Sequence, residues 1–183
     1  VLHVKEIVYS PDRTRAIVVY ATDSTGKNSD PVYYRRLFSD VTDGVFTDFT
    51  LRWCGASKAE NTQNFIYDAY DSILWAPDST MFVVNDGRVD LVDLKGFQSA
   101  NVYDAAKAAF QENTVKQLGY AVSQDGSALN LSAVQWNQSG TQLQFRYTLT
   151  DAEGEAHTGY FWYTLLDGFI HDIEDTRIQY SGN

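Results

Sequence analysis

Tyr9-Ser10-Pro11-Asp12, followed by Ala16-Ile17-Val18-Val19-Tyr20, opens a phrase that this chain uses three times. Trp75-Ala76-Pro77-Asp78 precedes Phe82-Val83-Val84, and Trp136-Asn137-Gln138-Ser139-Gly140 precedes Leu143-Gln144-Phe145-Arg146-Tyr147. Each copy is an aromatic residue, a tight turn and a run of strand type. Proline presets φ for the turn, and aspartate bonds back to the backbone. The aromatic has the area to anchor the turn on a neighbouring layer. In the third copy Gln138-Ser139-Gly140 replaces Pro-Asp, so the glycine is expected to supply the turn. Internal repetition decides architecture ahead of any local assignment.

The first and third copies align well beyond the opening phrase. Tyr9 and Trp136 stand 127 positions apart (136 − 9), as do Tyr20 and Tyr147. Asp23-Ser24-Thr25-Gly26 then meets Asp151-Ala152-Glu153-Gly154, and Val32-Tyr33-Tyr34-Arg35 meets Tyr160-Phe161-Trp162-Tyr163. Asp43-Gly44-Val45-Phe46-Thr47-Asp48-Phe49 matches Asp167-Gly168-Phe169-Ile170-His171-Asp172-Ile173. The middle copy is shorter. Asn85-Asp86-Gly87-Arg88 lies between two apolar runs, a strong hairpin signal, and Val89–Leu94 is the next strand. Alternation sets Val89, Leu91 and Asp93 on one side of it, with Asp90, Val92 and Leu94 on the other.

Between the second and third copies, Asn101 to Leu118 reads as a helix. Asn101 is the N-cap with Asp104 at capping-box distance. Val102, Ala106, Ala109 and Phe110 form one apolar face, Glu112 and Lys116 pair on the surface, and Gly119 stops the helix. The helix is expected to cover a sheet edge. Ser123-Gln124-Asp125-Gly126 is a partial echo read as a hairpin leading into Val134–Trp136. Gly55–Asn64 is polar and reads as a loop before a strand over Phe65–Tyr70.

The repeats resemble blades of TolB-like and prolyl-oligopeptidase-like β-propellers. Such blades run as aromatic-Ser-Pro-Asp-Gly, a strand ending in small and aromatic residues, a polar turn, and a strand closing on Asp-Leu-x-Gly. Tyr9–Asp12, Ile17–Tyr20, Asn28–Tyr34 and Trp75–Gly96 match that pattern, with Asp93-Leu94-Lys95-Gly96 as the close. The third copy departs at Pro-Asp and in hairpin length. The resemblance implies a mainly β, antiparallel fold of propeller-blade-like repeats in a single domain, 1–183. The copies span about 1–54, 65–100 and 128–178, with one amphipathic helix inserted near 101–118. Closed propellers carry four to eight blades, so three copies point to an open stack or an incomplete propeller. A piece of a longer protein, or a further blade too diverged to see, meets the same count. The pattern is nearly silent on function, because a fold does not set one.

Composition narrows the classes. A chain of 183 residues buries roughly 70% of its unfolded surface and needs no staples. It is 44% hydrophobic with 12 Tyr, 10 Phe and 4 Trp, which suits strands. The formal charge of −10 makes nucleic acid an unfavoured partner. Cys54 is the single cysteine, so no intrachain disulfide forms; Trp53-Cys54-Gly55 reads as a small buried hydrophobe. No stretch has the length of a transmembrane helix. A start at Val1 fits a product trimmed of a signal peptide or of a lipoprotein leader carrying a lipid anchor.

Catalytic and metal signatures are sparse. His3, His157 and His171 lie far apart and in no ligand spacing, and His171 aligns with Thr47 of the first copy, which marks it as surface. Asp43, Asp48, Asp167 and Asp172 recur because the turn recurs. Asp23-x-x-Gly26 and Asp151-x-Glu153-Gly154-Glu155 lack the acidic alternation of a calcium loop and read as hairpin turns. Neither a nucleophile elbow nor a phosphate loop is present, so the peptidase resemblance stops at the blades. Asn130-Leu131-Ser132 and Asn137-Gln138-Ser139 are glycosylation sequons. Tyr160 and Trp162 share one strand face and Phe161 and Tyr163 the other, as sugar-stacking or packing residues would. Tyr33-Tyr34 form a second aromatic cluster, and Trp53, Tyr67 and Tyr70 flank the polar loop as exposed aromatics.

These features name no catalytic, metal or cofactor site. They favour a non-catalytic binding or scaffold module of a bacterial secreted or envelope protein, with an unknown protein or carbohydrate ligand. The alternatives are a carbohydrate-active enzyme using dispersed carboxylates, and an accessory propeller fragment completed by oligomerisation.

Overall fold

The structure is a computed structural model that describes residues 1–22, 33–42, 44–49, 73–85, 89–95, 98–119 and 129–175. The hairpin expected at 123–126, the loop and strand of 55–70, Asp23, Asp43, Asp86, Trp53, Cys54, Tyr67 and Tyr70 lie outside them. The fold is mainly β, antiparallel, with one helix. Strands β1 (Leu2–Tyr9), β2 (Ala16–Thr22), β3 (Tyr33–Thr42) and β4 (Val45–Phe49) form the first sheet in sequential order. β5 (Ile73–Trp75), β6 (Met81–Asn85), β7 (Val89–Asp93) and β8 (Gln98–Asn101) form the second. After helix α1 (Tyr103–Gln117), β9 (Leu129–Trp136), β10 (Gln142–Thr150), β11 (Ala156–Thr164) and β12 (Ile170–Asp175) form the third. Each is a four-stranded sheet with neighbours in chain order, the unit from which propeller blades are made. No sheet closes on itself among the described residues.

The three phrases build one turn in the same frame. Ser10, Ala76 and Asn137 each donate their N–H across the turn, to the carbonyls of Arg15, Met81 and Gln142. Arg13, Ser79 and Gly140 donate back to those same three residues. All three sit in the left-handed region, at φ 60, 61 and 68. Thr14, Thr80 and Thr141 follow, and their carbonyls accept the N–H of Val41, Leu94 and Leu165 at the end of the third strand of each sheet. The turn is thereby stitched to its own sheet three times over.

This geometry corrects the reading of the third copy. Gly140 does not stand in for Pro-Asp; it fills the left-handed position that Arg13 and Ser79 also fill. Asn137 supplies the missing bonds. Its Oδ1 accepts the N–H of Thr141 (2.9 Å) and of Gln142 (3.1 Å). In the first copy Asp12 Oδ1 takes the former role, from Thr14, and Ser10 Oγ the latter, from Arg15.

The chain falls into two compact units, Val1–Asp86 with Leu91–Ala100, and Gly87–Asp90 with Asn101–Asn183. In the first, Ile17, Val19 and Leu37 of the first sheet pack on Ile73, Phe82, Val84, Val92 and Leu94, with Val8 and Trp75 at the margin. Trp75 Nε1 donates to the Val8 carbonyl (3.3 Å), and its ring lies 4.9 Å from Phe82, so this aromatic does anchor its turn on the neighbouring sheet. The two turns also meet. The Asp12 N–H donates to Ser79 Oγ (3.0 Å), and Arg15 Nη1 to the Ser79 carbonyl (3.1 Å). Ala16 to Val19 and Phe82 to Val84 are buried residue after residue, so both faces of these strands are covered.

In the second unit the helix begins as its sequence asks. Asn101 Oδ1 accepts the Tyr103 N–H (2.9 Å), and Asn101 Nδ2 donates to Asp104 (3.2 Å). Gly119 ends it at φ 71. The helix covers a sheet face, however, not an edge. Phe110 is fully buried against Tyr147 of β10 and Phe161 of β11, the two central strands, at ring separations of 4.6 and 4.7 Å. Phe145 and Tyr163 extend this aromatic cluster. Deleting a buried ring of this kind costs about 3–5 kcal/mol. Among the described residues no helix is long and apolar enough to cross a membrane.

Candidate functional site

The buried side of the third sheet carries one polar cluster. Asp151, just past the end of β10, is 4% exposed, His157 of β11 is 3% and Asp175 of β12 is 3%. Asp151 Oδ1 accepts the N–H of Glu153 (2.9 Å) and Glu155 (2.8 Å), while Gly154 holds φ 87. That is the expected hairpin turn, and it leaves Oδ2 to His157 Nε2 at 2.8 Å. On the other side of the ring, Nδ1 stands 3.7 Å from Asp175 Oδ2. His157 is therefore no surface histidine: its own hairpin turn brings Asp151 to one side of the ring, and the pairing of β11 with β12 brings Asp175 to the other. The register depends on Gly159. Tyr147 reaches beneath it to donate its hydroxyl to the Glu174 carbonyl (3.0 Å), and a Cβ at Gly159 would overlap that carbonyl.

This cluster clamps more than it catalyses. A general base needs one ring nitrogen open to substrate, and here both face carboxylates on a fully buried side chain. Asp151, Glu155 and His157 each offer a ligand atom within 4.8 Å of the others. The atoms a cation would take, Asp151 Oδ2 and His157 Nε2, are already bonded to each other.

The opposite face of the same sheet is open. β10 alternates strictly: Leu143, Phe145, Tyr147 and Leu149 point inward, while Arg146, Thr148 and Thr150 are exposed. On β11, Phe161 and Tyr163 are buried, Tyr160 is 36% exposed and Trp162 is half-buried, as their alternation foretold. Strand register turns this face into rows. Gln135, Gln144, Trp162 and His171 are successive partners across the four strands; Ser132, Arg146, Tyr160 and Glu174 form the next row. Asn130, Thr148 and Thr158 follow.

Several of these side chains are held in place. Gln135 Nε2 donates to Gln144 Oε1 (2.7 Å), and Gln142 Nε2 contacts Thr164 Oγ1 (3.1 Å) and His171 Nε2 (2.9 Å). The His171 ring stacks on Phe169 at 5.9 Å, and its Nδ1 lies 3.0 Å from Asp172. His171 is thus a half-buried member of the face, and Asp172, at φ 50, belongs to the local break in strand register. Asp167 Oδ1 accepts the Phe169 N–H, the turn role its recurrence suggested. Of the two sequons, Asn130 is exposed on this face, whereas Asn137 is committed to its turn. His3 is exposed on β1.

Two carboxyls in the first unit are shifted by their turns. Burial pushes the Asp12 carboxyl up, but hydrogen bonds from Ser10, Thr14 and Ser79 outweigh it and bring it down to about 2. The Thr80 hydroxyl and N–H lower that of Asp78 in the same way. Burial, with help from the Asp167 charge, raises the Tyr163 phenol. None of the three lies on the open face.

No protein-family model matches the chain, and no curated protein matches its sequence.

Proposed function

We propose that this chain is a non-catalytic binding module of a bacterial secreted or cell-envelope protein, built from blade repeats of the TolB-like kind, and that it binds on the open face of its third sheet. One observation carries the reading. β2 and β6 are apolar on both faces, whereas β10 and β11 carry an apolar face and an ordered polar-aromatic one. A side chain that serves only solubility has no need to be tethered in rows. The compartment rests on the resemblance of the repeats alone. Two features weigh against the other readings. An enzyme of the two-carboxylate type needs its pair across a cleft, and Asp151 and Asp175 are spent on His157. Completion by a second copy calls for an apolar, dry contact, and this face offers amides, hydroxyls and a guanidinium.

The test uses the purified chain, a double variant Thr148→Arg with Tyr160→Arg, and a control, Val45→Arg, at an exposed position of β4. Retention on cell-envelope material and on insoluble material from culture medium is compared. Retention by wild type and control, with at least about tenfold loss in the double variant, supports the reading; a tenfold loss corresponds to about 1.4 kcal/mol. Equal retention by all three refutes it.

A further inference from the structure

We infer that the ligand of this face is a neutral glycan, an inference that rests on the proposal that the face binds. Tyr160 and Trp162 lie two positions apart on β11, which sets their rings about 7 Å apart along the strand, given roughly 3.4 Å per residue. Aromatic faces are negative and ring edges positive, so they take the polarised C–H face of a pyranose. A sugar's rim of hydroxyls requires partners that both donate and accept. Gln135 and Gln144 each present an amide with a donor and an acceptor beyond their mutual bond, Gln142, whose amide is taken up by Asn137, Thr164 and His171, borders them, and Thr148 and Ser132 add hydroxyls. The Gln135–Gln144 and Gln142–Thr164 bonds hold these amides in place before any ligand arrives. Pre-ordered side chains reduce the entropy lost on binding.

Charge selects among ligand classes. The chain carries −10, yet on this face Arg146 and Glu174 flank Tyr160 in one row and cancel. A polyanion meets net repulsion from the chain and a single cation on the face. A cationic ligand finds more carboxylate elsewhere on the molecule than here. An apolar protein surface calls for a contiguous apolar patch, and the two rings here are bordered by polar rows. An uncharged, hydroxyl-rich ligand with apolar ring faces satisfies all three conditions.

The probes are cellohexaose, hexa-N-acetylchitohexaose, maltohexaose, xylohexaose and mannohexaose, with heparin as the polyanion, titrated into the intact chain by calorimetry and tryptophan fluorescence. At least one neutral probe is expected to bind. Trp162→Ala and Tyr160→Ala each weaken it at least about tenfold, and Gln144→Ala weakens it by a smaller factor. Trp162→Phe keeps a ring and retains most of the affinity, which separates loss of stacking from loss of fold; thermal melts of each variant accompany the titrations. Binding that survives Trp162→Ala, or heparin binding more tightly than every neutral probe, overturns the inference. Failure of all five neutral probes overturns it too. If the Thr148→Arg, Tyr160→Arg variant still loses retention in that case, only the glycan assignment falls, and the binding face stands.

Discussion

β6 and β10 are each the second strand of a sheet, follow the same turn and are tied to their sheets by the same threonine carbonyl, yet they are buried differently. In β6, Phe82, Val83 and Val84 are all within 3% of full burial. In β10, Leu143, Phe145, Tyr147 and Leu149 are buried while Arg146 and Thr148 between them are exposed. The backbone device is shared, and the surroundings are not. A continuous apolar run marks a sheet covered on both faces, and clean alternation marks one that keeps a face in water. That second face, with its tethered amides and aromatic rings, is the one proposed above to take a ligand.

The largest blow to the third sheet is His157→Ala. It removes the ring that lies between Asp151 and Asp175 and leaves Asp151 only its two turn bonds, and taking one partner from a buried pair costs about 3–5 kcal/mol. Chemical denaturation should show that loss, and a loss under about 1 kcal/mol would mean that the cluster is no clamp. Next comes a matched pair that addresses the comparison itself. Val83→Asn buries an unpaired amide and should cost about 1–3 kcal/mol, while Thr148→Asn on the open face should stay within about 0.5 kcal/mol. Equal effects would mean that the two strands do not differ in burial.

Gly140→Ala has a smaller effect. A Cβ at φ 68 costs about 1–2 kcal/mol, seen as a lowered melting temperature. Arg13 and Ser79 carry that strain already at φ 60 and 61, so the first two turns have no glycine to lose.

The smallest effect is in acid. Asp12 titrates at about 2 in the folded chain, below its usual value of 3.8, so the unfolded chain binds the proton more readily. The stability this adds is complete above about pH 4 and is lost as pH falls through about 2. Melting curves of the wild type should therefore fall more steeply over that interval than those of Asp12→Asn. The carboxyl is largely solvated, which keeps the difference small.

Much of this was legible in the chain. Pro-Asp and Asp167-Gly168 marked turns, Asn101 and Gly119 bounded the helix, and the alternation of Tyr160 to Tyr163 set apart exposed and buried rings. The threonine that follows the left-handed residue in all three copies was also there, at 14, 80 and 141, although its role as the stitch to the third strand shows only in space. The His157 cluster had no local signal. Its three members occupy positions 151, 157 and 175, and pairing across β10, β11 and β12 is what brings them together.

The sequence alone determined the elements, because turns and caps are set by the φ preferences and hydrogen bonds of residues a few positions apart. It also determined which residues of β11 share a face, since the strand period is two. Only the tertiary structure decided that the helix covers a face and not an edge, that His157 is buried between two carboxylates, and that the third sheet keeps one side in water. Those outcomes depend on register and packing between segments far apart in the chain, where a Val or a Tyr serves a covered face and an open one equally well.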